Sequence, residues 1–315
     1  MKCMLPLLQT SLILLTLSGC TSQDTHNQDT KPQSAVIFVP NDRWTTWWHD
    51  GKAEVSSFDL VQARYGELRH GDAVMVFVTE PFSKSLHVKS DHPEGNPSDI
   101  VEVMKMNFAR KFNTGVYPYS ILTSTFTPVN GTHSLKNSMS SQEWCGHVFC
   151  QMDHTDQGYQ FVGHSYFEGE GEMDELIPWQ SGADEYLLED EMWSLIRMNP
   201  DILPDGKVMM IPPLSFLRLM HLEVRPYEAE CSGYLRKNDP QLFTVTYPEL
   251  NRTLSIEHEE GPPYQILTWS ETYPDGWSAD APMLTTTGKL RKTIRTDYWN
   301  QHAVSDSVAR KELGF

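Results

Sequence analysis

The stretch AEVSSFDLVQARYGEL at 53–68, followed by DAVMVFVTE at 72–80, decides the fold. Both segments are enriched in β-branched and aromatic residues, and Arg69, His70 and Gly71 separate them. That is a strand, turn, strand pattern. Downstream, DIVEVMKMNFARKF (99–112) alternates apolar and polar residues from Ile100 to Met106. VYPYSILTSTFTPV (116–129) pairs with it across an Asn113-Thr114-Gly115 turn, and Asn130-Gly131 is a further turn signal. HSLKNSMSSQEWCGHVFCQM (133–152) and YQFVGHSYFEGEG (159–171) flank another polar turn. Long strands joined by tight turns predict one broad antiparallel sheet.

Helical spacing is confined to the middle and the end of the chain. Over 182–199, Leu188, Met192, Leu195, Ile196 and Asn199 fall on one stripe. Asp184 and Glu185 occupy the first turn, where they favour the helix dipole, and Pro200 stops the helix. A shorter helix is expected over 212–225, with Leu214, Leu217, His221 and Val224 on one face. Strands resume at LFTVTY (242–247), TLSIEH (253–258), YQILTWSETY (264–273) and LTTTGKLRKTIR (284–295), and residues 297–313 read as a terminal helix. The fold class is therefore α+β and β-dominated: a large curved antiparallel sheet, half-barrel-like, with one or two packed helices around one core. Envelope proteins that carry lipids or lipoproteins have half-barrels of this kind, an analogy of fold that carries no function by itself.

At the N-terminus, Lys2 and the apolar run from Leu5 lead to Leu17-Ser18-Gly19-Cys20. The run is too short to span a bilayer comfortably. This looks like a lipoprotein signal peptide over 1–19, with Cys20 lipidated after cleavage. Thr21 favours export to the outer membrane, by resemblance to lipoprotein sorting. Residues 20–35 hold almost nothing to bury and read as a lipidated cysteine and disordered tether, leaving 36–315 as a single β-rich domain that opens on VIFV (36–39). The formal charge of the 315-residue chain is -17, and loss of Lys2 makes it one unit more negative. Such a surface repels nucleic-acid phosphates, so nucleic acid is discounted as a partner. The membrane is reached through acyl chains rather than a basic patch.

Of five cysteines, Cys3 leaves with the leader and Cys20 takes lipid. Cys145, Cys150 and Cys231 remain for an oxidising compartment, where an odd number leaves at least one thiol unpaired within the chain. Glu143, Cys145 and His147 form the densest reactive cluster. In an extended strand Cys145 and His147 share a face, so a thiol–imidazole pair for hydrolysis is conceivable, beside the plainer reading of structural thiols. In a continuous strand Cys145 and Cys150 would be about 16 Å apart, too far for a disulfide unless the chain turns between them.

Trp44, Trp47 and Trp48 can stack on a ligand or fill a core. Arg64, Glu67, Glu80 and Arg110 interleave with apolar strand residues, so Arg–carboxylate pairs across strands would line a ligand site or lock register. Glu168, Glu170, Glu172, Asp174 and Glu175 crowd a Gly-containing turn, a pattern read as solvated because it is not an EF-hand loop. Neither the His154 region nor any other spacing matches a zinc pattern, and there is no Walker loop, H-E-x-x-H or dinucleotide fingerprint. No metal or cofactor is expected.

The segments WWHDGKAEVSSFDL, QARYGELRHGDAVMVFVTEPFS, KFNTGVYPYSILTSTF, SSQEWCGHVF and SYFEGEG resemble an uncharacterised family of bacterial lipoproteins whose members often carry the label "septum formation inhibitor Maf". True Maf proteins are compact cytoplasmic nucleotide pyrophosphatases that begin with Ser-x-Ser-x-Arg-Arg. No such stretch occurs here, so the resemblance implies no pyrophosphatase. Three function classes follow. The first is a periplasmic binding module for an apolar or amphipathic ligand on the concave face. The second is a structural or assembly partner of envelope proteins, and the third a hydrolase using Cys145 and His147.

Overall fold

The computed structural model describes residues 38–131, 133–180, 185–234, 239–276, 278 and 280–315. The leader, the Cys20 lipidation site and the 20–35 tether lie outside them.

The strand pair that decides the fold is present, with its turn moved. β1 (Ala53–Arg64) and β2 (Glu67–Ser83) meet across Tyr65-Gly66, whose φ values of 59° and 73° are both left-handed. A two-residue turn of this hand matches the twist of the flanking strands. Arg69, His70 and Gly71, expected as the turn, run on inside β2. Gly71 serves close approach instead: a Cβ there would lie 2.2 Å from the Lys111 carbonyl oxygen of a neighbouring strand.

After the short β3 (Val88–Lys89) come β4 (Ile100–Thr114) and β5 (Tyr117–Pro128), turning at Gly115-Val116 rather than at 113–115. The alternation in β4 holds: Met104, Met106, Phe108 and Phe112 join the main core. The stretch 133–152 is two strands, β6 (Lys136–Glu143) and β7 (Gly146–Thr155), folded back at Trp144-Cys145. β8 (Gly158–Ser165) and β9 (Glu172–Pro178) complete one half. The other half comprises β10 (Leu187–Leu188), β11 (Gly206–Ile211), β12 (Tyr227–Tyr234) and β13 (Gln241–Tyr247), then β14 (Arg252–His258), β15 (Ile266–Pro274) and β16 (Met283–Thr296). Pairing of β16 with β1 unites the halves in a single sheet of sixteen strands running from β10 to β9. Every pairing is antiparallel except β10 with β11. No helix among the described residues is long and apolar enough to cross a membrane.

Among the described residues four short helices accompany the sheet: α1 (Asp42–Trp48), α2 (Met192–Met198), α3 (Leu214–Met220) and α4 (Ser307–Glu312). The helix expected over 182–199 is real only in its second half. Leu187 and Leu188 form a strand, Glu189–Glu191 a 3-10 turn, and Glu185 precedes the helix, while Asp184 lies outside the described residues. All seven residues of α2 are buried, including Ser194 and Arg197, because the helix lies within the curved sheet and has no solvent face. The second helix stops at Met220, where His221 takes a left-handed φ of 54°, so Val224 falls outside it. The expected 297–313 helix is two 3-10 turns and α4.

The concave face is thus filled by the chain itself. Trp193 of α2 packs against Trp269 and Phe108, and Phe58 also packs edge-on against Trp269. Unbroken alternation along β1 divides the sheet's two faces, and the register shift beside it falls in β16, where Arg291 is the extra residue. Phe58 and Leu60 enter the main core, whereas Ala53 and Val55 pack with Leu313 and Phe315 in a separate cluster on the opposite face.

Candidate functional site

Because successive hairpins alternate, the β1–β2, β4–β5 and β6–β7 turns share one end of the sheet. α1 lies at the other. The Thr79 hydroxyl donates to the Trp48 carbonyl at 3.0 Å, and His49 Nε2 meets Glu102 Oε1 at 2.7 Å. Arg295, from the end of β16, donates to the Trp47 carbonyl. The helix forms there because Asn41 caps it: its side-chain oxygen accepts the Trp44 N–H at 3.0 Å, with Asp42 in the first turn. Spacing of four residues then turns Trp44 and Trp48 to the same face, and both are buried.

Between α1, the residues that follow α2 and the loop joining β14 to β15 lies a half-open cavity of about 700 Å³. Trp44, Trp47, Trp48, Pro262, Pro263 and Tyr264 supply much of its wall, and Arg197 contributes a buried cation. Its size falls in the range of small-molecule sites, about 300–1,000 Å³. Arg197 Nη2 donates to Glu54 Oε2 at 2.5 Å, and its guanidinium lies 5.4 Å from the ring centres of both Trp48 and Phe77. Burial pulls the Arg197 pKa down, and the Glu54 carboxylate opposes that. Arg295 stacks on Trp47 at 4.2 Å. Across the cavity, burial followed by the Asp201 charge raises the Tyr264 hydroxyl above its ordinary pKa.

The other sequence candidates lie elsewhere and do not converge. Arg64 donates to the Leu219 carbonyl at 2.7 Å, tying down the last turn of α3, and stacks on Tyr65 at 4.1 Å. Arg110 donates to the Ser215 hydroxyl at 2.6 Å at the start of α3. Glu67 pairs with Arg69 on the surface, and Glu80 with Lys105 at 3.5 Å. The expected Arg–carboxylate pairs within the set Arg64, Glu67, Glu80 and Arg110 are not formed; these arginines hold a helix instead. Arg64 also lines a smaller cavity of about 280 Å³ at the hairpin end.

Cys145 sits in the β6–β7 turn rather than within a strand, so it does not share a strand face with His147. The Glu143 carboxylate accepts the Cys145 backbone N–H at 2.7 Å and raises the thiol's pKa, with a smaller push from desolvation. A raised pKa disfavours the thiolate that nucleophilic chemistry needs. Both Cys145 and His147 are exposed, and no hydrogen bond joins their side chains among the described residues. Cys145, Cys150 and Cys231 are all free thiols. In the acidic stretch Glu170 pairs with Arg218 at 3.1 Å and with His221 at 2.9 Å. Among the described residues no group of three or more His, Cys, Asp or Glu is placed to hold a metal ion.

No family model matches the chain, and no curated protein does. Among solved structures, the chain is similar to a beta-barrel-like protein of domain of unknown function DUF1849 from Brucella abortus. That match has 11% identity and a TM-score of 0.45, covering 78% of this chain and 98% of the other. A porin-like protein from Bacteroides uniformis matches at 8% identity and a TM-score of 0.20, over 76% and 95% of the two chains.

Sequence reasoning found three of the cavity's residues, Trp44, Trp47 and Trp48. It missed Arg197 and the Pro262-Pro263-Tyr264 wall. A lone arginine inside the apolar run MWSLIRM was the available signal, since a cation there must be paired or solvated.

Proposed function

We propose that this is a binding protein of the bacterial envelope, anchored by lipid at Cys20, whose site is the tryptophan-walled cavity at the α1 end. The supporting observation is the cavity itself. The interior of the sheet is occupied by α2 and α3, so an apolar ligand has no room on the concave face, whereas about 700 Å³ stands open beside α1. Aromatic and proline walls with a single buried cation suit an amphipathic small molecule. Among the described residues no catalytic constellation accompanies them. The test is native mass spectrometry of the mature full-length lipoprotein released gently from its own envelopes. A co-purifying small molecule, reduced in a Trp47→Ala variant, is expected. A clean unliganded mass, together with no uptake from an envelope lipid extract, would overturn the reading.

A second reading, an envelope assembly partner, is supported by the opposite end. Val116, Trp144, Tyr166 and Phe167 are exposed there. Tyr166 donates its backbone N–H to the His147 carbonyl at 3.2 Å, holding the segment after β8 against the start of β7. Such a rim favours contact with another protein. Crosslinking in whole cells from position 144 tests it: a discrete adduct supports a partner, and none excludes one at this rim.

A further inference from the structure

Phe38, the first described residue, and Val39 both line the cavity beside α1. Val39 is 76% exposed. At the other end of the helix, Arg295 of β16 donates to the Trp47 carbonyl and to Asp50 at 2.6 Å. Just beyond β16, Tyr298 and Trp299 stand partly exposed, their ring centres 5.5 Å apart. Asp297 fixes that corner: its side chain accepts from the Asn300 amide at 2.9 Å and its carbonyl from the Asn300 backbone N–H at 2.8 Å. Val304 follows, 93% exposed, and shares the lining of a second cavity, of about 420 Å³, with Tyr298. Valines and two aromatic rings therefore face water on both sides of the point where the chain enters the domain.

Resting on the lipid anchor of the reading above, we propose that the α1 end lies against a zwitterionic bilayer, with Val39, Tyr298, Trp299 and Val304 in its headgroup region. Exposure alone does not select this end, because Val116, Trp144, Tyr166 and Phe167 are exposed at the other. The length of chain before the domain does. Cys20 lies eighteen residues upstream of Phe38, a stretch that reaches at most about 60 Å. Thr79, which donates to the Trp48 carbonyl, stands twelve residues along β2 from Glu67, or about 40 Å. Setting the hairpin end on the bilayer would draw out about two-thirds of the available reach beside the sheet, at a cost in chain entropy. The α1 end needs none of it. Tryptophan and tyrosine suit the interface, since an apolar ring and a polar tip match its two sides. A formal charge of -17 favours zwitterionic over anionic headgroups. Docked in this way, the Val39 side of the cavity faces the membrane.

The test reads depth in the membrane. The full-length lipoprotein, with Cys145→Ser to remove the exposed thiol, is placed in phosphatidylcholine nanodiscs. It carries an environment-sensitive fluorophore at one of Trp299→Cys, Val304→Cys or Val116→Cys, and nitroxide-bearing phosphatidylcholine is the quencher. Positions 299 and 304 are expected to be quenched at least about three-fold more than 116 at the hairpin end. Val304→Cys keeps Trp299 in place, so it decides the matter where loss of that indole frees the domain. Adding Trp299→Ser to it is expected to cut its quenching at least about two-fold. Nanodiscs rich in phosphatidylglycerol are expected to quench both positions less, and stronger quenching there would overturn the zwitterionic partner. Equal quenching at 304 and 116 would overturn the docking while leaving a co-purifying small molecule, and with it the binding reading, untouched. An intact mass without acyl chains on Cys20 would overturn anchor and docking together.

Discussion

Arg252 and Glu189 are joined by two parallel hydrogen bonds, Nη1 to Oε2 at 2.5 Å and Nη2 to Oε1 at 2.7 Å, with both side chains about 1% exposed. Glu271 accepts from Nε of the same guanidinium at 2.9 Å. The pair ties β14 to the 3-10 turn that leads into α2, and so fastens the helix inside the sheet. Removing one partner of such a pair strands a charge in a low-dielectric interior, which costs about 3–5 kcal/mol, whereas replacing both with apolar residues costs much less. Arg252→Met is therefore expected to lower the unfolding free energy by roughly that amount. Glu189→Leu with Arg252→Met is expected to recover part of the loss, since Glu271 stays partly accessible to water. Urea unfolding of the three proteins measures it, and a double variant no better than the single one would contradict this account.

The next two residues of that turn give stability an unusual pH dependence. Asp190 is pushed up to about 6 and Glu191 to about 7, in each case chiefly by burial. Asn137 donates to Asp190 at 2.8 Å, and the Ser134 and Leu188 N–H groups donate to Glu191; these bonds pull the other way and do not win. In the unfolded chain both acids titrate near their ordinary values, 3.8 and 4.5. Between about pH 4 and 7 the native state therefore binds more protons. The stability these groups contribute is full below pH 4 and is lost as pH rises through 6 and 7, the reverse of a salt-bridged carboxylate. For Asp190 the difference is on the order of 3 kcal/mol. The urea midpoint is expected to fall from pH 5 to pH 8, and to fall less in Asp190→Asn, whose amide imitates the protonated acid. A midpoint flat across that range in the wild type would refute it.

These buried acids mark where sequence reading ends. Alternation in β4 was legible because one face of an antiparallel strand is buried and the other is not, and Met104, Met106 and Phe108 obey that rule. The β1–β2 turn was misplaced because Gly71 looks like a turn glycine while serving close packing against Lys111. The cap Asn41 and acidic Asp42 before an aromatic run are a local start signal for α1, legible without the fold. Glu189, Asp190 and Glu191 fall inside the helix expected over 182–199, and their burial was not legible because their partners, Arg252, Asn137 and Ser134, come from distant segments that only the closed sheet brings near. The same holds for the cavity: its tryptophans are adjacent in sequence, but Arg197 and Tyr264 join them only through the fold.

Gly288 of β16 faces Trp269 of β15 in register, and a Cβ there would lie 1.9 Å from the indole ring. That ring is locked by Phe58 at 4.8 Å and Phe108 at 5.3 Å, so it cannot swing aside. Gly288→Ala is expected to cost at least about 1–3 kcal/mol through overpacking. A thermal melt compares it with Gly95→Ala, where nothing lies within 4 Å. Equal melting temperatures would show that the indole does not sit where the packing requires.

The three cysteines of the domain are expected to differ sharply in reactivity. Cys145 is exposed in a hairpin turn, whereas Cys150 and Cys231 are buried and burial raises each thiol to about 12. Thiolate is the reacting form, so both access and ionisation disfavour the buried pair. In the native lipoprotein at pH 8, a disulfide exchange reagent should titrate one thiol quickly. In denaturant it should titrate three, because Cys20 carries lipid under the reading above. Cys145→Ser is expected to abolish the fast phase while leaving the unfolding midpoint and the binding of an amphiphile unchanged. That outcome separates a surface thiol from a nucleophile or a binding group. A fast phase that survives the substitution would place a second thiol at the surface and contradict the packing of β7 or β12.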